Sequence, residues 1–188
     1  NPHLRRIETA VNRYIYRQDY DPAKIQEEVS MFLRSLASPQ ALATGFVHRV
    51  KDGIGIDAVS LAYGPKETHE YLMVATDGVE HCSTDGVNGV QALATGQDKP
   101  YRHGISRGEV TTNPLFQEKR VAMLALFDRL KTELLVPLVF EHRVRGFVSF
   151  GVKRTHREYS AEDLRLLLIL TDQLALSLEN GRLYEESV

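Results

Sequence analysis

Four pairs of a capping side chain and a proline divide the chain into segments with helical periodicity. In each pair, an oxygen that can accept a backbone N–H precedes a proline whose missing N–H is harmless at the first helical position. Apolar residues recur every three or four positions after three of the pairs, which predicts three helices. A fourth, less regular helix is predicted over residues 114–131, and Gly53 and Gly55 are expected to end the third. The pairs are Asn1-Pro2, Asp21-Pro22, Ser38-Pro39 and Asn113-Pro114.

Short runs of β-branched and aromatic residues predict two hairpins. The first joins DAVSLAY (57–63) to EYLMVAT (70–76) across a break that begins at Gly64-Pro65. The second joins LLVPLVF to RVRGFVSFG across the two-residue break Glu141-His142. Because Pro137 cannot donate to a ladder, its strand is expected to be bulged there or to turn that position outward.

The strand period of two gives the second hairpin two different faces. Val148 and Phe150 point to one face with Gly146, and this face requires helices packed on it. Ser149 and Gly151 point to the other face, where small side chains leave room. The hairpin therefore predicts a packing face and a concave face.

A glycine-rich polar segment, residues 77–113, lies between the two hairpins and is expected to cover the concave face. It contains three basic side chains within six residues, which favours a ligand with an anionic or carbonyl group, because a partly buried charge needs a partner. The alternative is that these basic residues are solvated. The predicted ligand-binding residues are Ser60, Ala62, Met73, Arg102, His103, Arg107, Phe147, Ser149 and Gly151.

The last helix has a strong start signal and a wide apolar stripe. Ser160 and Asp163 form an S-x-x-D capping box, and Tyr159 and Leu164 stand where a hydrophobic staple closes. The stripe is wider than one sheet face needs, so the helix is expected to pack on the sheet and on a partner helix. This predicts a parallel homodimer through the terminal helices. The residues predicted at that interface are Ile7, Val11, Tyr14, Leu174 and Leu178.

The run LLVPLVF-EH-RVRGFVSFG, followed by YSAEDLRLLLILTDQLALSLENGRLYEE, resembles the C-terminal half of a GAF domain. The family's final helix reads A-x-Q-x-A-x-A-hydrophobic-x-N-A-x-L-Y, a pattern that is similar to residues 171–184. The resemblance extends over roughly residues 11–186 and is closest to the GAF segments of bacterial sensor histidine kinases. His142 stands where the family usually has a turn glycine, which implies a slightly costlier turn and the same fold.

The resemblance implies an α+β fold, layered α/β/α. A central antiparallel sheet of five or six strands is expected to carry terminal helices on one face and a ligand pocket under loops on the other. The expected organisation is an N-terminal helical linker over residues 1–20 and a GAF domain over residues 21–188 that ends in a signalling helix. Because the chain opens at Asn1 without a methionine, we expect a fragment of a longer protein.

Composition and motif spacing exclude most other functions. The 188 residues, 43% hydrophobic and 26% charged, are typical of an ordinary globular protein, and a net charge of −2 gives no nucleic-acid footprint. No apolar run reaches the roughly 18 residues of a membrane span. The single cysteine, Cys82, excludes an internal disulfide framework, and it follows His81 in the reverse of the order in bilin-binding relatives. The seven histidines lack metal-ligand spacing, so no metal site is expected. No covalent bilin, no haem and no catalytic activity are expected either.

The function that these observations favour is that of a regulatory, non-enzymatic sensor domain of a two-component histidine kinase. The expected partners are a second copy, a downstream kinase core and a small anionic metabolite, with no nucleic acid and no membrane contact by this fragment. The expected location is the cytoplasmic part of a membrane-anchored sensor. The alternative is a structural dimerisation and relay module with a filled pocket and no ligand. Membership of the family does not by itself determine a ligand. The feature that distinguishes a ligand sensor from a relay module is the volume left around Ser60, Ala62, Ser149 and Gly151.

Overall fold

The structure is a computed structural model that describes residues 19–35, 37–64, 73–79 and 103–188. A five-stranded antiparallel sheet forms its centre, in the order β2-β1-β5-β4-β3. This α+β architecture confirms the fold class predicted from the sequence. The predicted helical linker over residues 1–20 lies almost entirely outside the described residues. The strands are β1 (Val59–Tyr63), β2 (Met73–Asp77), β3 (Ile105–Ser106), β4 (Leu134–Phe140) and β5 (Arg143–Phe150).

The first two described helices begin at the predicted capping pairs. Helix α1 (Pro22–Leu33) begins after Asp21, whose side chain accepts from two backbone N–H groups. Helix α2 (Pro39–Ile54) begins after Ser38, whose side chain accepts from the backbone N–H of Ala41. Gly53 lies inside α2 and does not end it, contrary to the sequence-based expectation. The helix ends at Gly55, whose left-handed conformation (φ 79°) suits glycine.

The predicted helix over residues 114–131 is divided into two pieces. Asn113 caps a single 3₁₀ turn, Pro114–Phe116. Helix α4 (Arg120–Arg129) begins four residues later without any side-chain cap. A short helix, α3 (Arg107–Thr112), precedes both and has a capping box between Ser106 and Glu109.

Each face of the sheet has its own apolar core. On one face, α1, α2 and the last helix, α5 (Ala161–Ser187), pack against inward residues of the central strands such as Leu61 and Phe150. On the other face, α4 and the 3₁₀ turn pack against a second cluster. That second cluster contains Ala62, Ile105, Val110, Phe116, Met123, Leu126, Phe127, Leu130, Leu135 and Phe147.

The β4–β5 hairpin turns through Glu141 and His142, both with positive φ (47° and 62°). This is the left-handed geometry that a two-residue hairpin loop requires, so the prediction that His142 keeps the turn is confirmed. Pro137 stays in register opposite Phe147. The bulge falls nearer the turn, where Leu138 pairs with Gly146 and Val139 pairs with Val144, which leaves Arg145 as the extra residue of β5.

Helix α5 begins at the predicted capping box. Ser160 Oγ accepts from the Asp163 backbone N–H at 3.1 Å, and Asp163 Oδ2 accepts from the Ser160 N–H at 2.9 Å. Tyr159 and Leu164 are partly buried against the core beside it, as a hydrophobic staple requires. The start of α5 is therefore fixed by local sequence.

Replacing Ser160 with alanine is expected to lower the free energy of unfolding by about 1 kcal/mol, because the Asp163 N–H loses its acceptor. Chemical denaturation at neutral pH measures the change. Ser187→Ala is the control at the exposed end of the same helix, with an expected change within about 0.5 kcal/mol. Equal effects of the two changes would contradict the capping role of Ser160.

Candidate functional site

Four of the predicted ligand-binding residues lie on the sheet face opposite α5. Ser60 pairs with Ser149 across β1 and β5, and Ala62 pairs with Phe147 one step along. Val59, Leu61 and Val148 alternate with them and belong to the core on the α5 face. Strand alternation therefore placed these four side chains on one shared surface.

The four side chains on that surface are buried. Ser60 is 0% exposed, and Ala62, Phe147 and Ser149 are 1% exposed. Ala62 and Phe147 belong to the cluster formed with helix α4. Helix α4 covers part of this surface, and its weak periodicity concealed from sequence reasoning that it packs on this face.

The two serines have an unusual environment for buried hydroxyl groups. Neither Ser60 Oγ nor Ser149 Oγ has a hydrogen-bond partner. Burying a hydroxyl group without a partner costs about 1–3 kcal/mol by mutational measures. This face therefore retains two unsatisfied polar groups at its centre.

Gly151 does not leave a cavity, contrary to the sequence-based interpretation. A Cβ atom at this position would meet Lys131 O at 2.7 Å and Ala58 O at 3.0 Å. The Gly151 N–H donates to Ala58 O at 2.8 Å, and its carbonyl accepts from Tyr159 Oη at 2.6 Å. Glycine at this position allows the backbones of residues 58, 131 and 151 to approach each other closely.

The predicted basic residues are not gathered at this face. Arg107 makes ion pairs with Asp128 (2.8 Å) and Glu133 (3.2 Å), so its charge already has partners. His103 is exposed, and with Arg107 it lines a separate cleft of about 770 Å³ that also includes Lys153. Arg102 lies outside the described residues. Met73 begins β2, and its side chain also lies outside the described part of the structure.

A buried charged cluster that sequence reasoning missed joins the sheet to the C-terminal half of α5. Glu179 on α5 is 2% exposed and accepts a hydrogen bond from Tyr63 Oη at the end of β1. Arg182 Nη2 donates to Glu179 Oε1 at 2.7 Å. Arg145 is also buried, with Nη2 4.0 Å from Glu179 Oε1, and its Nε and Nη2 have no hydrogen-bond partner.

Protonation states in this cluster follow from its contacts. Burial by itself would raise the pKa of Glu179, but hydrogen bonds from Arg182 and Tyr63 hold that pKa below its ordinary value. Burial and the hydrogen bond to the Glu179 carboxylate raise the pKa of Tyr63. At neutral pH, Glu179 is therefore charged and Tyr63 is a neutral donor.

The bulge explains why this cluster was missed. Strict alternation puts Arg145 on the same face as Phe147, but the extra residue in β5 brings Arg145 to the α5 side. The available signal was Glu179 itself. It follows the buried residues Ala175 and Leu178 by four positions and one position, so it falls on the inner stripe of the helix.

A second polar cluster holds the start of α5. Lys153 Nζ lies 2.7 Å from Asp163 Oδ2, and both residues are buried. Tyr20 Oη, just before α1, donates to Asp163 Oδ1. Burial by itself would raise the pKa of Asp163, but the hydrogen bonds from Lys153, Tyr20 and the Ser160 backbone lower it. Further along, Ser30 on α1 donates to Gln173 on α5 at 2.6 Å.

The predicted dimer residues on α5 lie inside the domain. Leu174 and Leu178 are 0% exposed, in the core shared with α1, α2 and the sheet, so a second copy cannot reach them. The prediction for these two leucines is wrong because α1 and α2 both pack against α5 and use its widest stripe. Ile7, Val11 and Tyr14 lie outside the described residues.

The described residues contain neither a candidate metal site nor a candidate membrane span. No group of histidine, cysteine or acidic side chains there has the geometry of a metal site. No helix there is both long enough and apolar enough to cross a membrane.

Comparisons with known proteins identify the family. The family model for the GAF domain matches residues 82–180, more than half of the chain. No curated protein matches in a sequence search.

Three solved structures share the fold at low sequence identity. The GAF domain of a phosphoenolpyruvate-protein phosphotransferase from Coxiella burnetii is 15% identical, covers 88% of this chain and 96% of its own, and superposes with a TM-score of 0.61. A free methionine-R-sulfoxide reductase from Neisseria meningitidis is 13% identical (87% and 91% covered, TM-score 0.60). Residues 122 to 287 of a methyl-accepting chemotaxis protein are 16% identical (85% and 98% covered, TM-score 0.59). The chain belongs to the GAF domain family, whose members are in general regulatory sensor domains of signalling proteins.

Proposed function

We propose that this domain is the regulatory element of a two-component histidine kinase, in which helix α5 relays a conformational signal between the sheet and a second copy of the chain. In this proposal the domain itself catalyses no reaction, and it lies on the cytoplasmic side of a membrane-anchored sensor. A downstream kinase core receives the signal. The observation that carries the proposal is the two-sided construction of α5.

Polar contacts join the inner side of α5 to the rest of the domain at three levels, which are its start, its middle and its end. Asp163 binds Lys153 and Tyr20 near its start, Gln173 accepts from Ser30 in its middle, and Glu179 accepts from Tyr63 near its end. Buried leucines fill the spaces between these levels. A change in the sheet or in α1 therefore acts on α5 through several fixed contacts.

Strand β5 connects the sheet face opposite α5 to the end of α5. It carries Ser149 and Phe147 on that face, and four residues before Ser149 it carries Arg145, which lies beside Glu179. Because both ends of this path are buried, a shift of β5 changes the packing around Glu179. This supports a relay from that face to the output helix.

The outer side of α5 presents apolar residues at a spacing of seven. Leu176 and Leu183 are 52% and 49% exposed, and Ile169, one heptad earlier, is half-buried. A parallel coiled coil has apolar residues at two positions of each heptad, and this stripe supplies one of the two. We therefore place the homodimer interface on this stripe.

The double substitution Leu176→Glu and Leu183→Glu is expected to convert a dimer into a folded monomer, because it places charges at the centre of the proposed seam. Sedimentation velocity at micromolar concentration measures the change, with circular dichroism as the check of folding. The matched control is Val121→Glu, which charges an 84% exposed apolar residue on α4, over the opposite sheet face. A monomeric wild-type protein at high micromolar concentration, or a double variant that remains dimeric, would contradict the interface.

Binding of a small molecule is the second candidate function, beside a relay with a filled pocket. Full burial of the face around Ser149 is what a filled pocket requires. The two unpartnered hydroxyl groups on that face favour a ligand, since a filled structural pocket gains nothing from unsatisfied polar groups. In this candidate, the domain binds a small molecule on the face opposite α5 and passes the change through β5.

A further inference from the structure

We propose that the sheet face opposite α5 binds an uncharged ligand through a row of three hydroxyl groups, one each on β2, β1 and β5. The row consists of Thr76, Ser60 and Ser149. The inference rests on the small-molecule function proposed above and names its ligand class, in place of the anionic metabolite expected from the sequence.

The register of the sheet aligns the three hydroxyl groups. Thr76 pairs with Ser60 across β1 and β2, and Ser60 pairs with Ser149 across β1 and β5. Ala75, next to Thr76, belongs to the core on the α5 face, so Thr76 stands on the opposite face with the two serines. Neighbouring strands lie about 4.8 Å apart, so the row spans about 10 Å.

The row has a polar end and an apolar end. Thr76 is exposed, whereas Ser60 and Ser149 are buried. Beyond Ser149, the next position in the same register is Leu135 on β4. A ligand that follows the row would therefore have several hydrogen-bonding groups along one edge and would end against apolar side chains.

Charge distribution among the described residues favours an uncharged ligand. None of the aligned positions on β2, β1, β5 and β4 carries an ionisable side chain. Arg107, the described arginine that was predicted here, is neutralised by Asp128 and Glu133. Hydroxyl groups alone do not compensate the desolvation of an anion, whereas they pair well with hydroxyl or amide groups, which both donate and accept.

The unpartnered state of Ser60 and Ser149 provides the first test, which needs no ligand. If both hydroxyl groups lack partners, Ser60→Ala and Ser149→Ala should each raise the melting temperature of the free domain, by roughly 2 °C or more. A fall in melting temperature for both variants would show that the hydroxyl groups are hydrogen-bonded within the domain. That result would overturn the proposed ligand class and leave the relay function standing.

Pairs of compounds that differ in charge provide the second test. The probes are glycerol and glycerate, glucose and gluconate, and nicotinamide and nicotinate, each followed by thermal shift and then by calorimetry. We expect at least one neutral member to bind the wild-type domain more tightly than its acid. Ser60→Ala and Ser149→Ala should each weaken that binding by about tenfold, since each removes one hydrogen bond to the ligand.

Thr171→Val is the matched control. Thr171 Oγ1 is also buried and without a hydrogen-bond partner, but it lies on α5, on the other side of the sheet. This variant should keep the affinity for the neutral probe.

The remaining outcomes test the proposed ligand class separately from the small-molecule function. Binding of acid members only would overturn the ligand class and support the small-molecule function. Equal weakening by Thr171→Val would show an effect of general packing and would overturn the hydroxyl row. Absence of binding by every probe would overturn both the ligand class and the small-molecule function, in favour of a relay with a filled pocket.

Discussion

Replacing Gly146 with alanine is expected to lower the free energy of unfolding by about 4 kcal/mol or more, the largest steric effect that we predict for this domain. A Cβ atom at Gly146 would lie 1.9 Å from Ala62 O and 2.9 Å from the Tyr63 Cα atom. Both are backbone atoms of β1, which pairs with the central strand β5. No side-chain movement relieves this clash, so β1 and β5 must separate.

Urea denaturation, or the yield of folded protein where the variant does not refold, measures the effect of Gly146→Ala. The control is Gly108→Ala in helix α3, where a Cβ atom would meet only Ser106 Oγ, at 3.8 Å. Alanine is favoured over glycine in a helix by about 0.5–1 kcal/mol, so the control should be neutral or stabilising. A Gly146→Ala domain as stable as the control would mean that β1 and β5 do not approach so closely.

Local chemistry explains which parts of the fold could be predicted from the sequence. Asp21, Ser38 and Ser160 cap helices because their side chains reach N–H groups two or three residues away. The turn at Glu141-His142 follows from the length of the break between two apolar runs. These features depend on a few neighbouring residues, so a single sequence is sufficient to find them.

The sequence-based predictions were wrong where contacts between distant parts of the chain determine the structure. The bulge at Arg145 depends on how β4 and β5 fit against α5, and strand alternation contains no signal for it. Helix α4 begins without a side-chain cap, so its first residue depends on its packing against the sheet.

The candidate site shows the same division between local and distant effects. Alternation placed Ser60 and Ser149 on the correct face, because the side-chain period of a strand is a local property. Their burial and the neutralisation of Arg107 could not be predicted. Arg107 is paired by Asp128 and Glu133, which stand more than twenty positions away in the sequence.

Replacing Glu179 with alanine is expected to lower the free energy of unfolding by about 3–5 kcal/mol, the largest electrostatic effect that we predict. The substitution leaves the buried guanidinium group of Arg145 without a carboxylate and leaves Tyr63 Oη without its acceptor. The control is Glu186→Ala, which removes the other carboxylate bound to Arg182. Glu186 is 62% exposed, so its loss should cost at most about 1 kcal/mol.

A double variant separates the two causes of this loss. Replacing Arg145 with methionine together with Glu179→Leu removes both buried charges and keeps apolar volume. Such replacements of buried pairs are often neutral or stabilising, so the double variant should recover most of the stability lost in Glu179→Ala. If the double variant is as unstable as Glu179→Ala, the loss of the hydrogen-bond acceptor of Tyr63 Oη causes the destabilisation, and the buried charge of Arg145 does not.

The same carboxylate predicts a pH dependence with a defined sign. Because the pKa of Glu179 in the folded domain is lower than its ordinary value of 4.5, the ionised carboxylate stabilises the domain fully above about pH 4.5. That contribution is lost as the pH falls through the folded pKa. Glu179→Gln keeps the size of the side chain and removes the titration, so the difference in unfolding free energy between wild type and variant should be constant near pH 7 and should shrink below pH 4.5. A difference that stays constant down to pH 3, measured by urea denaturation in matched buffers, would contradict this prediction. It would mean that Arg182 and Tyr63 do not hold the Glu179 carboxylate ionised, and the proposed electrostatic link between the sheet and α5 would then be wrong.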